Sequence, residues 1–283
     1  EVCPQQAGLV VKTKAQSIQC RTVILATGGL SYPQTGSTGH GLKIAASLGH
    51  ALIPPRPGLV PLLTAQGWPG QLAGVSLDHV VLRAMAPSGR YSSAGPLVFT
   101  NDGIGGPATM DLSRDLAAEL AKPRTQIPAT IDLSGNLNQD VLEQLVLGWA
   151  RTSGSSQVLT CLSGLLPKRL ARVVLDEAGC DSKTLACELD KANRARIVQE
   201  LKAMPITITG TKPLEQATIT IGGVDTRQVD PRTMASRVCP GLFFAGEILD
   251  VDGPCGGYNL QICWSTGALA GRSAALMAAH RGA

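Results

Sequence analysis

The sequence predicts an α/β protein in which one α/β domain is interrupted by a long insert carrying its own β and α parts. Near each end of the chain a short apolar run closes on glycine, as a buried parallel strand does: "VILATGG" at 23 to 29 and "PGLFFAGEIL" at 240 to 249. Between them the pattern is strand-like to about Leu133 and helical from about Asn138 to Met204. The closing stretch, "GPCGGYNLQICWSTGALAG" at 253 to 271, sets five glycines before and along a small-residue helix. That much backbone freedom before a helix means either a tight turn or a backbone brought close to something that is not protein.

Taken in order, "GLVVKTKAQSIQC" reads as a small hairpin, with Val10 and Val11 on one strand and Ile18 on the other. Val23 to Ala26 is the first buried strand, bounded by Gly28 and Gly29. "STGHGLKIAASLGH" is a helix with Ser37 or Thr38 as N-cap, an apolar face of Leu42, Ala45, Ala46 and Leu48, and Gly49 as its stop. Pro54, Pro55 and Pro57 break the pattern, so the first part of the outer domain is expected to span 1–55. The insert then runs over 56–205, β-rich over 56–135 ("SLDHVVLRAMA", "GPLVFT", "IPATIDLS") and helical over 136–205. "VLEQLVLGWA" and "LPKRLARVVLDEAG" show the clearest helical periods, with "RTSGSSQ" a loop between helices. "MPITITGTKPLEQATITIGGV" returns to strands, and 206–283 completes the outer domain.

Composition narrows the chemistry. Of the 283 residues 44% are hydrophobic and 16% charged, which describes a folded globular chain. A net charge of +4 without a basic run points away from nucleic acid. No run of about 18 apolar residues exists to span a membrane. The eight cysteines form no CxxC pair, so reduced thiols in a cytoplasmic protein are expected. His40, His50, His79 and His280 are scattered without zinc spacing, and no GxSxG elbow is present.

Two glycine-rich stretches invite over-reading. "GIGGPA" at 103 to 108 fits G-x-G-x-x-A between a strand and a helix, with Asp132 downstream as a ribose acid. Asn101 and Asp102 delay the turn, however, and Pro107 removes an amide donor, so a structural turn is favoured. "TGSTGHG" at 35 to 41 lacks the Gly-Lys-Ser/Thr ending of a phosphate loop and leaves only a helix entry. Cys255, with no second cysteine at redox spacing, reads as an ordinary buried thiol. Glu247 ends a buried strand, where α/β sheets bind ligands, and so reads as functional.

The two ends together resemble flavoproteins built like glutathione reductase: "VILATGG" their second dinucleotide-fold motif, "PGLFFAGEILDVDGPCGGYNLQICWSTGALAG" their closing FAD motif. With "TGGLSYPQTGSTGHG", "FTNDGIGGPATMDLS" and "GGVDTRQVDPRTMASR" also present in order, nearly the whole chain is similar to the bacterial BaiN-like or aminoacetone oxidase family of NAD(P)/FAD-dependent oxidoreductases. The resemblance implies a partial glutathione-reductase-like FAD-binding Rossmann domain, with an insert that is part β-barrel and part helical. It assigns the "FTxxGxSGP" segment to the β-rich insert, with Gly105 where serine is usual. Family members begin with a βαβ unit carrying GxGxxG and the ribose acid, and the residues before "VILATGG" amount to one hairpin. The expectation is therefore a chain without that unit, holding the ribitol and ring end of FAD and exposing a sheet through which it self-associates.

By the same resemblance FAD is the cofactor and NAD(P)H the electron donor, passing electrons to a small organic acceptor such as an unsaturated ketone or steroid-like molecule. Thr27, Gly28, Gly29, Gly246, Glu247 and Asp252 belong to the implied cofactor site, as do Gly256, Gly257, Tyr258, Asn259, Leu260 and Gln261. Glu247 would accept from ribitol hydroxyls, and Gly256 and Gly257 would admit the ring without a Cβ in the way. Asn259 would cap the helix, with the amides of Asn259, Leu260 and Gln261 facing the N1/O2 edge where reduction puts negative charge. Gly267, Gly271 and Ala274 would seat the helix tightly on the sheet. Tyr32 and Tyr258 are the candidates for a general acid. The alternative from another class is a non-catalytic remnant whose insert is a binding or structural module.

Overall fold

The two glycine-terminated apolar runs from opposite ends of the sequence lie side by side. Leu242, Phe243 and Phe244 pair in parallel with Val23, Ile24 and Leu25. The computed structural model describes residues 1–6 and 8–280. These fall into two units, Glu1–Val60 with Lys212–Ala283, and Pro61–Thr211. The unit boundaries thus fall after Val60 and Thr211, where the sequence places them after residues 55 and 205.

The chain opens with three antiparallel strands, β1 (Val2–Gln5), β2 (Gly8–Lys12) and β3 (Ser17–Cys20), one more than the expected hairpin. Val2 pairs with Val11 and is buried, which the sequence conceals because only Val2 of its strand is apolar and buried. β4 (Val23–Leu25) follows, then α1 (His40–Ser47) and β5 (Leu52–Gly58). Helix α1 starts at Gly39 without a side-chain cap, so neither Ser37 nor Thr38 caps it. The hydroxyl of Ser37 lies against Gly28 instead. Gly49, at φ +90°, ends the helix as expected.

The second unit is a closed six-stranded barrel with helices. Its elements are β6 (Leu62–Thr64), α2 (Trp68–Gln71), β7 (Ser76–Ala86), β8 (Gly89–Thr100), β9 (Gly103–Gly105), α3 (Pro107–Asp115) and α4 (Ala117–Leu120). Then come β10 (Ile127–Asp132), α5 (Gln139–Thr152), α6 (Val158–Leu162), α7 (Lys168–Glu177), α8 (Lys191–Ala203) and β11 (Met204–Thr211). The order around the barrel is β10-β11-β6-β9-β8-β7, closed by β7 on β10. Because β11 follows the helices, the barrel is not confined to 56–135. Asn138 and Asp190 cap α5 and α8 by accepting from the amides of Asp140 and Asn193. One apolar core runs from Leu82, Phe99 and Ile131 of the barrel to Leu170, Val174 and Ile197 of the helices.

Within this unit the "GIGGPA" stretch is the barrel strand β9, bonded to β6 and β8, followed by α3. Asp132 is fully buried and held by Lys202 at 2.8 Å, Arg83 at 3.4 Å and the Ser134 hydroxyl at 2.5 Å. Its acceptors are spent on the fold, as the structural reading of that stretch requires. Burial pushes its carboxyl up, but the hydrogen bonds from Lys202 and Ser134 outweigh burial and hold it below the usual carboxylate value.

The chain returns to the first unit with β12 (Ile219–Val224), β13 (Leu242–Phe244) and α9 (Tyr258–His280). β12 pairs antiparallel with β5, so the three prolines lie inside a strand rather than at a break. A two-stranded sheet leaves one edge of β5 unpaired, where missing amides cost nothing. Pro54 and Pro55 fall at a register shift, two residues facing one. Phe243, Phe244, Leu242 and Leu25 form the core on which Ala270 and Ala274 of α9 are buried. Gly267 and Gly271 do not seat the helix: a Cβ on either would meet open space. They flank the buried line of Ala270 and Ala274 and are themselves only partly buried.

Candidate functional site

The turn Gly246–Ile248 follows β13 and carries Glu247 at the end of a fully buried strand. Its Oε1 accepts from the Thr220 amide of β12 at 2.9 Å and from the Ser31 hydroxyl at 3.0 Å. Thr220 Oγ1 in turn accepts from the amides of Leu30 and Ser31 at 2.8 and 3.0 Å. The glycine-rich turn after β4, strand β12 and the turn after β13 are thereby knotted together. Gly29 is glycine for a steric reason, since a Cβ there would sit 2.4 Å from Thr220 Oγ1 and 2.7 Å from Glu247 Oε1. Gly246 is tied to α9 through its amide, which donates to Thr266 Oγ1 at 2.9 Å.

Helix α9 begins at Tyr258, so Asn259 lies in its first turn and is not its cap. The Asn259 side chain reaches back to Gly253, accepting from its amide at 2.9 Å and donating to its carbonyl at 2.8 Å. This pins both ends of the loop Gly253–Gly257. The amide of Gln261 donates to the Gly257 carbonyl at 3.1 Å and is used up by the helix. The first-turn amides with no carbonyl four residues back inside the helix belong to Tyr258, Asn259 and Leu260. Gly256 and Gly257 have φ of +118° and +93°, and a Cβ on Gly257 would meet no protein atom within 4 Å.

Against this helix start opens a cavity of about 350 Å³. Glu247, Gly256, Gly257, Asn259 and Leu260 line it, together with Leu59, Thr218, Ile219, Pro254, Cys255 and Cys263. Its walls are mainly apolar and include no lysine or arginine. Cys255 is partly exposed on the cavity wall rather than buried. Burial, and then the Glu247 carboxylate nearby, push the Cys263 thiol up.

The remaining predicted residues stand elsewhere. Thr27, Gly28 and Gly29 form the turn after β4 and are not on the cavity wall. Asp252 lies near Asp250, whose carboxyl is raised by burial and by the charges of Asp252 and Asp225. Gln261 donates to the Ser265 hydroxyl at 3.0 Å. Tyr258 is exposed at the helix start, and Tyr32 is exposed in the turn after β4 at φ +48°. Leu59, Thr218, Ile219 and Cys263 escaped sequence reading. The alternation in "ATITIGGV" announces a strand but says nothing of which cavity it walls. Among the described residues no cluster of His, Cys, Asp and Glu could hold a metal ion, and no helix is long and apolar enough to cross a membrane.

Comparison with known proteins places these features in a family. The chain is 32% identical over 276 residues to a 3-dehydro-bile acid delta(4,6)-reductase of Clostridium scindens, covering 95% of this chain and 65% of that protein. It is 32% identical over 271 residues to a ribosomal RNA dihydrouridine synthase of Haemophilus influenzae, covering 93% and 62%. The Escherichia coli protein of that name is 32% identical over 269 residues, covering 94% and 63%. The chain thus spans under two thirds of the length of these relatives. Residues 2–273 match the HI0933-like protein Rossmann domain, and the chain belongs to that family.

Proposed function

We propose that this chain carries the flavin end of an FAD site and belongs to an oxidoreductase that saturates a carbon–carbon double bond conjugated with a carbonyl. The observation behind it is the apolar cavity at the start of α9, walled by Gly256, Gly257, Asn259 and Leu260 and by Glu247. The residues fit such a group. The walls suit a planar apolar ring, and the space a Cβ of Gly257 would enter is open. Bound there, a flavin would supply the two-electron reducing chemistry that no side chain can.

The protein's share is binding, orientation and electrostatics. The amides of Tyr258, Asn259 and Leu260, at the positive end of a 23-residue helix, offer donors to negative charge on a ring edge. Glu247, held in place by Ser31 and Thr220, is the acceptor for ligand hydroxyls. Leu59, Ile219 and Leu260 give the cavity its apolar walls.

The substrate class follows from the relatives. A 3-dehydro-Δ4,6 bile acid is a dienone, and dihydrouridine is uridine whose ring double bond beside a carbonyl has been saturated. Both names describe adding hydrogen across an activated double bond, and NAD(P)H is the proposed electron source. Titration of the chain with flavin, followed by NAD(P)H oxidation in the presence of an enone, tests the proposal. Absence of flavin binding in that titration would overturn it. Self-association is proposed through α9, where Trp264, which does not line the cavity, is 66% exposed.

A further inference from the structure

A second concavity, of about 370 Å³, lies in the barrel unit between α2 and α7. Its lining includes Lys168, Arg169 and Arg172 against a single carboxylate, Asp176. Lys168, Arg172 and Asp176 follow one another at four-residue steps and so share one face of α7. The floor is apolar, from Leu72 and Val173, both buried.

The three cations differ in what holds them. Arg169 donates to the backbone carbonyls of Gln71 and Ala73, at the end of α2, and so fastens the two walls of the cavity together. Its guanidinium has five N–H donors in a rigid fork, which leaves donors beyond those two bonds. Lys168 and Arg172 are exposed, and neither side chain has a hydrogen bond or ion pair to any described residue. No acid stands in the first turn of α7 to offset them. Cations at the start of a helix cost stability because the helix's own field is positive there. Lys168 and Arg169 stand there anyway, with Arg172 one turn further along the same concavity.

We propose that this cavity is a binding site for a sugar-phosphate unit. Lys168, Arg172 and the outer donors of Arg169 would take the phosphate, and the low-dielectric floor strengthens that attraction. Asp176 accepts and cannot donate, which suits a neighbouring sugar hydroxyl. A net of two positive charges over one acid favours a single phosphate group over apolar or cationic ligands. The phosphate can come from a free nucleotide or from an RNA backbone. The site stands apart from the flavin proposal, sharing no residue with the cavity at α9.

The test uses the full 283-residue chain and its Lys168→Ala/Arg172→Ala double variant. Both positions are exposed and alanine favours helix, so circular dichroism and melting should show the variant folded. Binding of uridine monophosphate and of inorganic phosphate is measured by calorimetry, and of a 20-nucleotide oligouridylate by fluorescence anisotropy at two salt concentrations. The proposal expects the double variant to bind at least one of the phosphate probes about tenfold or more weakly, with a shallower salt dependence for RNA. Loss confined to the oligonucleotide identifies an RNA backbone site, and loss of the mononucleotide as well identifies a nucleotide pocket. Wild-type chain that binds none of the three, or a folded variant that binds all of them as well as wild type, overturns it.

Discussion

The Ser31 hydroxyl donates to Glu247 Oε1 at 3.0 Å across 216 residues of sequence, and the same oxygen takes the Thr220 amide. One carboxylate oxygen therefore joins three chain segments of the outer unit. Glu247→Ala removes an acceptor from two part-buried donors, which costs about 1–3 kcal/mol. The expected outcome is a lower melting temperature together with weaker flavin binding. Ser31→Ala removes only one donor and should shift the melting temperature less while flavin affinity changes little. Equal flavin affinity in wild type and in folded Glu247→Ala, measured by titration, would remove Glu247 from the ligand site and leave it as a structural knot.

Gly257 separates backbone strain from ligand contact. Its φ of +93° is unfavourable for any residue with a Cβ, so Gly257→Ala should destabilise by about 1–3 kcal/mol. No protein atom lies within 4 Å of that Cβ, so no clash adds to the strain. If a ring occupies the space, Gly257→Val should bind far less flavin per folded protein than wild type. A constant flavin ratio with a lowered melting temperature would mean the glycine serves only the turn.

Much of the outer unit is legible in the sequence. β4 and β13 announce themselves as apolar runs ending in glycine, and the long small-residue pattern marks α9. β5 is hidden because proline is read as a break, whereas a strand with one free edge tolerates the missing amides. The start of α9 is misplaced because Asn259, a good cap by residue type, bonds backward to Gly253 instead. Leu59, Thr218 and Ile219 are invisible as site residues, since only the pairing of β5 with β12 brings them to the wall. The barrel's closing strand β11 is likewise legible as a strand but not as a partner of β6, because pairing across the helices is a long-range fact.

His50 gives the outer unit an acid sensitivity. The ring is buried, lies edge-on to Phe244 at 4.9 Å and hydrogen bonds to the Ala45 carbonyl and the Ser236 hydroxyl. Burial pushes its pKa below the ordinary 6.5, partly opposed by the bond to Ala45. The unfolded chain therefore binds the proton more readily than the folded one. The contribution of His50 to stability is complete above pH 6.5 and is lost as pH falls from there through the lower folded value. Melting temperatures between pH 8 and pH 5 should fall on the acid side, and His50→Gln should flatten that part of the profile. An unchanged slope in the folded variant would assign the sensitivity to other groups.

Trp264 provides a direct test of association. Trp264 exposes a large apolar side chain on α9, next to a stretch where Gly267 and Gly271 add no side chain. Sedimentation velocity across a tenfold concentration range should show the weight-average mass rising for wild type. Trp264→Glu, which places charge at the centre of that surface without touching a buried residue, should return the protein to a monomer. A wild-type chain that is monomeric throughout would refute the proposed contact.

The lining of the cavity also decides which part of a flavin nucleotide the chain can recognise. Leu59, Ile219, Leu260 and Pro254 suit the ring, and Glu247 suits hydroxyls, but no lysine or arginine faces the space. A phosphate group added to the ligand gains no counter-charge from these walls and stands near a carboxylate that repels it. Riboflavin, FMN and FAD should therefore bind this 283-residue chain with dissociation constants within about threefold of one another, a spread of about 0.6 kcal/mol. Quenching of flavin fluorescence in parallel titrations gives the three values. If FAD binds more than tenfold tighter than riboflavin, residues outside this cavity hold the phosphates or the adenosine, and the limit drawn here around the flavin end is wrong.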